Sequence, residues 1–228
     1  MFNDLKILYE DNHIIVCIKE IGILSQADGS DKLDMLTILK EYIKEKYNKP
    51  GNVYLGLVHR LDINTRGIMV FAKTSKAAAR LSSDIKNHNF EKKYKAVVEG
   101  IIENKDYVLL KSYILKNESE RKSYISPNGL EAILYYKGIR SFNIDGSLVS
   151  EVDIILKTGR FHQIRCQFSS IGHPLFGDVK YGAKKSNDYL SLTAYYLSFL
   201  HPTKREKMVF TLWKMLFKAF FLFFKNIY

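Results

Sequence analysis

Hydrophobic and polar positions along this chain change period several times, and each change marks an element. Leu5 to Tyr9 and Ile14 to Ile18 are strand-like runs joined by Asp11-Asn12-His13, so the chain opens with a predicted hairpin. Gly22 breaks that pattern. From Ser30 or Asp31 the period lengthens, with Leu36, Leu39, Ile43 and Tyr47 at helical spacing on one face, until Pro50-Gly51 ends the helix. Two short apolar runs follow, Val53 to Val58 and Ile68 to Phe71. Both suit buried strands, although windows this short also fit helix. Between them lies a polar loop from His59 to Gly67, and Ser75 then offers an N-cap for a helix over Lys76 to Lys86 with Ala78, Leu81 and Ile85 as its stripe.

Tyr94 to Val98 reads as a strand ended by Gly100. Beyond it the period stays short. Tyr107 to Leu115, Lys122 to Ile125, Glu131 to Tyr136 and Leu148 to Lys157 are predicted strands, separated by turns such as Pro127-Asn128-Gly129 and Asp145-Gly146. Val152, Ile154 and Leu156 alternate with Asp153 and Lys157, the pattern of a sheet with one wetted face. Consecutive strands with short turns predict an antiparallel arrangement rather than a βαβ one. Phe161 to Ser170 carries a helical stripe of Ile164, Phe168 and Ile171, with Gly172 as its stop. A Gly- and Pro-rich loop runs to Gly182, and Leu190 to Leu200 resumes as strand-like or helical apolar sequence closed by His201-Pro202. There is no internal repeat or long linker. The expectation is an α+β fold, a mainly antiparallel mixed sheet flanked by helices, in one compact unit over 1–228.

The 228 residues suffice for a real core, and 46% hydrophobic content excludes general disorder. A net charge of +11 points to polyanionic partners, nucleic acid before anionic membrane. Cys17 and Cys166 show neither CxxC spacing nor clustered histidines, so zinc is not expected, and a chain this size needs no disulfide. The segment after Met1 lacks the features of a secretory signal. Met208 to Tyr228 is apolar and aromatic but broken by Lys214, Lys218 and Lys225, and its longest uncharged piece, Ala219 to Phe224, is far short of the about 20 residues a bilayer requires. A strand leading into a packed helix is expected there, with a membrane-surface helix as the alternative. The simplest location is cytoplasmic.

Chemistry concentrates in three separated pieces: His59-Arg60-Leu61-Asp62 with Thr65 and Gly67; Lys93-Tyr94-Lys95-Ala96-Val97-Val98-Glu99-Gly100; and Gly159-Arg160-Phe161-His162-Gln163-Ile164-Arg165, followed by Gly172-His173-Pro174 and Gly177-Asp178. Taken alone, Asp62 reads as a turn-capping residue. Together and in this order the pieces resemble the RNA pseudouridine synthases of the RluA type, whose pattern is an HRLD-x-x-TSG loop, a K-x-Y-x-A-x-V-x-G strand and a GR-x-HQIR helix, then GHP and GD-x-x-YG. The opening Leu8-Tyr9-Glu10-Asp11-Asn12 and the closing His201-Pro202-Thr203 also fit, so the resemblance runs from about Leu5 to Phe210.

The resemblance implies the pseudouridine synthase fold and isomerisation of a uridine within ribosomal or transfer RNA. The glycosidic bond breaks, the uracil turns, and C5 rejoins the ribose. Asp62 matches the catalytic carboxylate, acting either as a nucleophile on the sugar or as a base that yields a glycal. Burial in a base pocket favours the neutral acid, and Arg165 matches the arginine that offsets this by pairing with the aspartate. Tyr94 matches the tyrosine that lies against the target base. The nucleotide must be extruded to react, and Arg60 matches the arginine associated with filling the vacated space. Thr65, Arg66, Arg160, His162, Gln163, Lys92 and Lys93 complete the expected RNA-contacting set, His59 and His162 chiefly as hydrogen-bonding scaffold. Lys86 to Lys95 and Lys184-Lys185 are candidate phosphate contacts. No metal or organic cofactor is implied by this redox-neutral isomerisation, and a monomer without an obligate protein partner is the default.

This chain departs from the family pattern at Arg66, where serine is usual, and at Lys19-Glu20, where Lys-Pro is usual. The second is expected to lose only stiffness. With a strand predicted from Leu5, an N-terminal S4-type RNA-binding domain is not expected. The competing reading is a catalytically silent RNA-binding or RNA-folding protein on the same fold. A glycosidase-like enzyme would want two carboxylates flanking one bond, where the motifs offer one aspartate with arginines.

Overall fold

The computed structural model describes residues 5–144, 146–184 and 190–212. In chain order these form β1 (Ile7–Glu10), β2 (Ile14–Lys19), α1 (Met35–Lys46), β3 (Gly56–Leu57), β4 (Arg66–Ala72), α2 (Ser75–Lys86), β5 (Glu91–Glu99), β6 (Val108–Asn117), β7 (Lys122–Ile125), β8 (Leu130–Ile144), β9 (Ser147–Leu156), α3 (Gln163–Ser170), β10 (Leu192–Leu200) and β11 (Lys207–Thr211). The class is α+β, as expected. Asp145, Lys185 and the tail from residue 213, with its expected helix, lie outside the described residues. Among the described residues no helix is long and apolar enough to cross a membrane.

The described residues divide into two compact units, one of residues 5–90 and 194–212, the other of those between 91 and 193. In the first, β1 and β2 form the expected antiparallel hairpin, and β2 pairs along its whole length with β4, Ile14 opposite Ala72 through Lys19 opposite Gly67. Beyond β4 come β10 and β11. Ile14, Val16 and Ile18 of β2, Ile68 and Val70 of β4, Ala77 and Leu81 of α2, and Tyr195, Leu197 and Phe199 of β10 share one core. That alternation in β2, β4 and β10 is the period-2 signal of a sheet face packed under a helix.

Three expected boundaries shift. The run from Val53 to Val58 pairs only at Gly56 and Leu57, opposite Ala72 and Phe71. A strand has two edges. One edge of β4 belongs to β2, and the other is shared with β10, which approaches Gly67 so closely that a Cβ there would run into Ala194. The first helix begins at Met35 rather than near Ser30. Asp34 caps it, accepting from the Thr37 N–H and hydroxyl, whereas Ser30 bonds to Asp28. Its buried face is Met35, Leu39 and Ile43, with Tyr47 exposed. Thr74, not Ser75, caps α2, accepting from the Ala77 N–H at 3.1 Å.

The second unit is an antiparallel sheet in the order β5-β9-β8-β6-β7, the arrangement expected from the short turns. α3 packs on it through Phe168, whose ring meets Tyr136 edge-on at 5.1 Å, and through Gln167, which donates to the carbonyls of Leu110 and Ala132. The expected wetted face of β9 is covered instead: Glu151 and Asp153 are 9% and 8% exposed. Each carboxylate found a partner, Arg140 and Lys95 for Glu151 and the Tyr107 hydroxyl for Asp153, which is how acidic positions tolerate burial. Cys17 and Cys166 are buried free thiols. Leu190 to Leu200 resolves as strand β10.

Candidate active site

The loop between β3 and β4 holds Arg60, Asp62 and Thr65, with Arg66 opening β4, and the segment after β2 fastens it. Thr65 N–H closes a turn on the Asp62 carbonyl at 2.9 Å. Ser25 Oγ accepts from Leu61 N–H and donates to the Leu61 carbonyl, while Gly22 N–H donates to Ile63 at 3.0 Å. The largest contribution is from Lys19, wholly buried at the end of β2. Its ammonium donates to the carbonyls of Glu20 (3.0 Å), Ile23 (2.7 Å) and Ile63 (3.1 Å). Burial pulls its pKa down to about 8, against the attraction of Asp62 and Glu20. Asp62, half-buried, therefore has a desolvated cation in its own unit, in a medium where such fields are strong. The Lys19-Glu20 departure involves far more than lost stiffness.

Arg66 answers the other half of that departure. Its Nε and Nη2 donate to the two Glu20 carboxylate oxygens at 2.6 and 3.3 Å, and Lys6 adds a third contact at 3.2 Å. Burial would raise the Glu20 carboxyl, but the bonds from Arg66 and Lys6 hold it below its ordinary value. The two positions where this chain leaves the family pattern are thus bonded to each other. Of the expected RNA contacts in this loop, Arg60 is exposed, whereas Thr65 is 2% exposed and its backbone closes the turn. His59 accepts from Val70 N–H and lies edge-on to Phe90, a scaffold role as expected.

The second unit carries the remaining motif residues. β5 presents Lys92, Lys93 and Tyr94, the last almost fully buried. The turn into α3 is locked by Gln163, whose amide oxygen accepts from Thr158 Oγ1 and Arg160 N–H and whose nitrogen donates to Ile133 and Gln167. Gln163, expected among the RNA contacts, is 3% exposed, and its amide is engaged within the protein. Arg160 remains exposed and donates to the Glu131 carbonyl. Arg165 makes a bidentate pair with Asp178, both bonds 2.7 Å, in a site where the two side chains are 8% and 2% exposed. Its Nη1 donates to His162 Nε2 at 3.1 Å, and its guanidinium stands 4.8 Å over the Tyr181 ring.

Because His162 Nε2 accepts from Arg165, its proton sits on Nδ1 and points to the Tyr181 hydroxyl at 3.0 Å. Burial, then Arg165, Lys180, Lys116 and Arg121, push its pKa down to about 3. A histidine so strongly disfavoured as a cation does not shuttle protons near neutral pH. It adopts a left-handed backbone at φ 50 to start α3. The GR-x-HQIR and GD-x-x-YG pieces are thus one hydrogen-bonded assembly. Sequence reasoning quoted Asp178 and Tyr181 only as pattern, and it missed Lys19 as a support.

Comparison with known proteins agrees with this arrangement of motifs. Residues 13–170 match the family model described as RNA pseudouridylate synthase. An uncharacterized RNA pseudouridine synthase of Aquifex aeolicus is 35% identical over 218 residues, covering 90% of this chain and 68% of the relative. Ribosomal large subunit pseudouridine synthase D of Zymomonas mobilis is 32% identical over 221 residues, covering 90% of this chain and 68% of the relative. The fold matches human RNA pseudouridylate synthase domain containing 1 with a TM-score of 0.73 at 24% identity, covering 93% of this chain and 84% of that one. The chain belongs to the RNA pseudouridylate synthase family.

Proposed function

We propose that this chain, acting as one catalytic domain, isomerises specific uridines of ribosomal or transfer RNA to pseudouridine with Asp62 as the catalytic carboxylate. The observation that carries the assignment is the state of Asp62: half-buried, on a loop fastened through Leu61 and Ile63, with the buried Lys19 ammonium acting on it. Both available routes, attack on the ribose or removal of a ribose proton, need that carboxylate ionised and held still, and a fixed neighbouring cation favours the charged form. In the same reading Tyr94 lies against the uracil of the extruded nucleotide, and Arg165, oriented by Asp178 and His162, is the catalytic arginine. Arg60, exposed at the loop, enters the space the base leaves. Arg160 and Lys92 face the RNA backbone. The protein works in the cytoplasm as a monomer and needs no obligate protein partner.

The test is release of tritium from RNA labelled at uridine C5. Wild type is expected to release label, and Asp62→Asn to lower the rate by at least a thousandfold, about 4 kcal/mol of activation free energy. Tight RNA binding by wild type with no release from cellular RNA would identify a silent RNA-binding protein instead.

A further inference from the structure

The lysines around the second unit's motifs are mostly spoken for. Lys93 pairs with Glu91 at 3.1 Å, Lys95 with Glu151 at 3.7 Å and Lys111 with Glu131 at 2.5 Å. Lys92 differs. It is half-buried, it has no carboxylate partner among the described residues, and the only influence on its ammonium is desolvation, which lowers its pKa. An ammonium removed from water without a counter-ion costs folding free energy, so such a group is retained where a ligand supplies the missing charge.

Two placements say what that ligand is. Lys92 and Tyr94 are two residues apart on β5, so their side chains leave the same face of the strand, about 6.6 Å apart along it. That is roughly the span from a nucleobase to the phosphate of its own nucleotide. Across from β5 lies Gly159, in the turn between Thr158 and Arg160. A Cβ built on Gly159 would meet the Lys92 Nζ at 3.7 Å and nothing else within 4 Å. The ammonium therefore sits at the lip of an uncovered glycine, where a ligand strand can approach the backbone closely.

We propose that Lys92 is the contact to a phosphate flanking the modified uridine, with Gly159 leaving the room for it, and that Lys93 beside it is not. This assignment rests on the RNA-modifying reading above and deepens it, by naming which oxygen of the substrate strand the second unit grips. Its chemistry is a charge-assisted hydrogen bond from Nζ to a non-bridging phosphate oxygen.

The probe is RNA from a strain lacking this protein, labelled at uridine C5, read by filter binding over a series of salt concentrations and by tritium release. For Lys92→Met we expect about tenfold weaker binding and a log–log salt slope shallower by about 0.7 to 0.9, one phosphate contact. Lys92→Arg is expected to stay within threefold of wild type, and Lys93→Met to leave the slope unchanged. The melting temperature of Lys92→Met should equal or exceed that of wild type, because a desolvated unpaired charge has been removed. Unchanged binding and slope in Lys92→Met would overturn the proposal, as would a lowered melting temperature shared by Lys92→Arg, which marks a structural lysine. A loss confined to the rate of release, with binding intact, would also overturn it. The binding arm needs no turnover, so absence of tritium release by wild type would refute the enzymatic reading alone.

Discussion

Replacing Arg66 by serine and Glu20 by proline restores the family's usual residues and tests what their pairing does. The pair joins the end of β2 to the first residue of β4, four positions after Asp62, through bonds of 2.6 and 3.3 Å. Two unit charges about 4 Å apart attract by about 1 kcal/mol in water and about 4 kcal/mol at an effective dielectric of 20. The Arg66 and Glu20 side chains are 14% and 34% exposed, so solvent screens the pair and each side chain gives up entropy to hold it. A net coupling of about 1 to 1.5 kcal/mol is expected. For a chain of this length that corresponds to about 2 to 6 °C in melting temperature. The coupling is measured by a double-mutant cycle of Glu20→Gln and Arg66→Met in urea, with Glu20→Pro/Arg66→Ser as a further variant. Because Lys19, adjacent to Glu20, also holds Ile63, a loosened pair should lower the rate of release several-fold with little change in RNA affinity. A coupling below 0.3 kcal/mol, together with weaker RNA binding and a shallower salt slope in Arg66→Met alone, would refute this reasoning. It would return Arg66 to the role expected from sequence, a direct RNA contact.

Other consequences are equally direct. Lys19→Met strips a buried charged donor from three carbonyls and is expected to destabilise by about 3 to 5 kcal/mol, read in urea melts. In wild type the Lys19 ammonium, with its folded pKa lowered to about 8, loses its proton as pH rises through that value, so activity should fall above pH 8. The unfolded chain keeps that proton to higher pH, so the same group makes stability rise between about pH 8 and 10.5. Asp178→Asn breaks the buried pair with Arg165 and should cost about 3 kcal/mol, with release falling further than the melting temperature alone explains. Burial would raise the Glu10 carboxyl, but bonds from Lys46, Lys73 and Tyr47 overcome that and hold it at about 2. Its contribution of about 2 kcal/mol, after screening, is present above pH 4.5 and is lost as pH falls toward 2; Glu10→Gln should flatten that part of the stability profile.

What could be read in the sequence followed from locality. The opening hairpin, the antiparallel pairing of β6 to β9 and the stripe of α3 are patterns whose partners are near in sequence, so period and turn chemistry suffice. Lengths were less legible because they depend on distant competitors. β3 stops at Leu57 because β10 occupies the rest of that edge of β4, and no feature of Val53 to Val58 encodes it. β9 looked half-wetted because Asp153 and Lys157 read as solvent-facing; Lys157 is exposed, but Asp153 is covered where Tyr107 donates to it.

The candidate site divides along the same line. Spaced motifs singled out Asp62, Tyr94 and Arg165, but they did not separate residues facing a ligand from residues facing each other. Gln163, Thr65 and His162 look like contact residues by type, yet their hydrogen bonds end within the protein. The reverse holds for Lys19. A lysine at a strand end ordinarily reads as solvated, and its burial requires carbonyls from Glu20, Ile23 and Ile63, the last 44 residues away. A local departure from the family pattern therefore says little by itself. Glu20 looked like a lost proline and Arg66 like a gained RNA contact until a 2.6 Å bond across 46 residues joined them. Two departures that compensate each other in charge and lie in contact leave the loop geometry available to Asp62. That is how a chain that changes both positions still fastens the loop that carries Asp62.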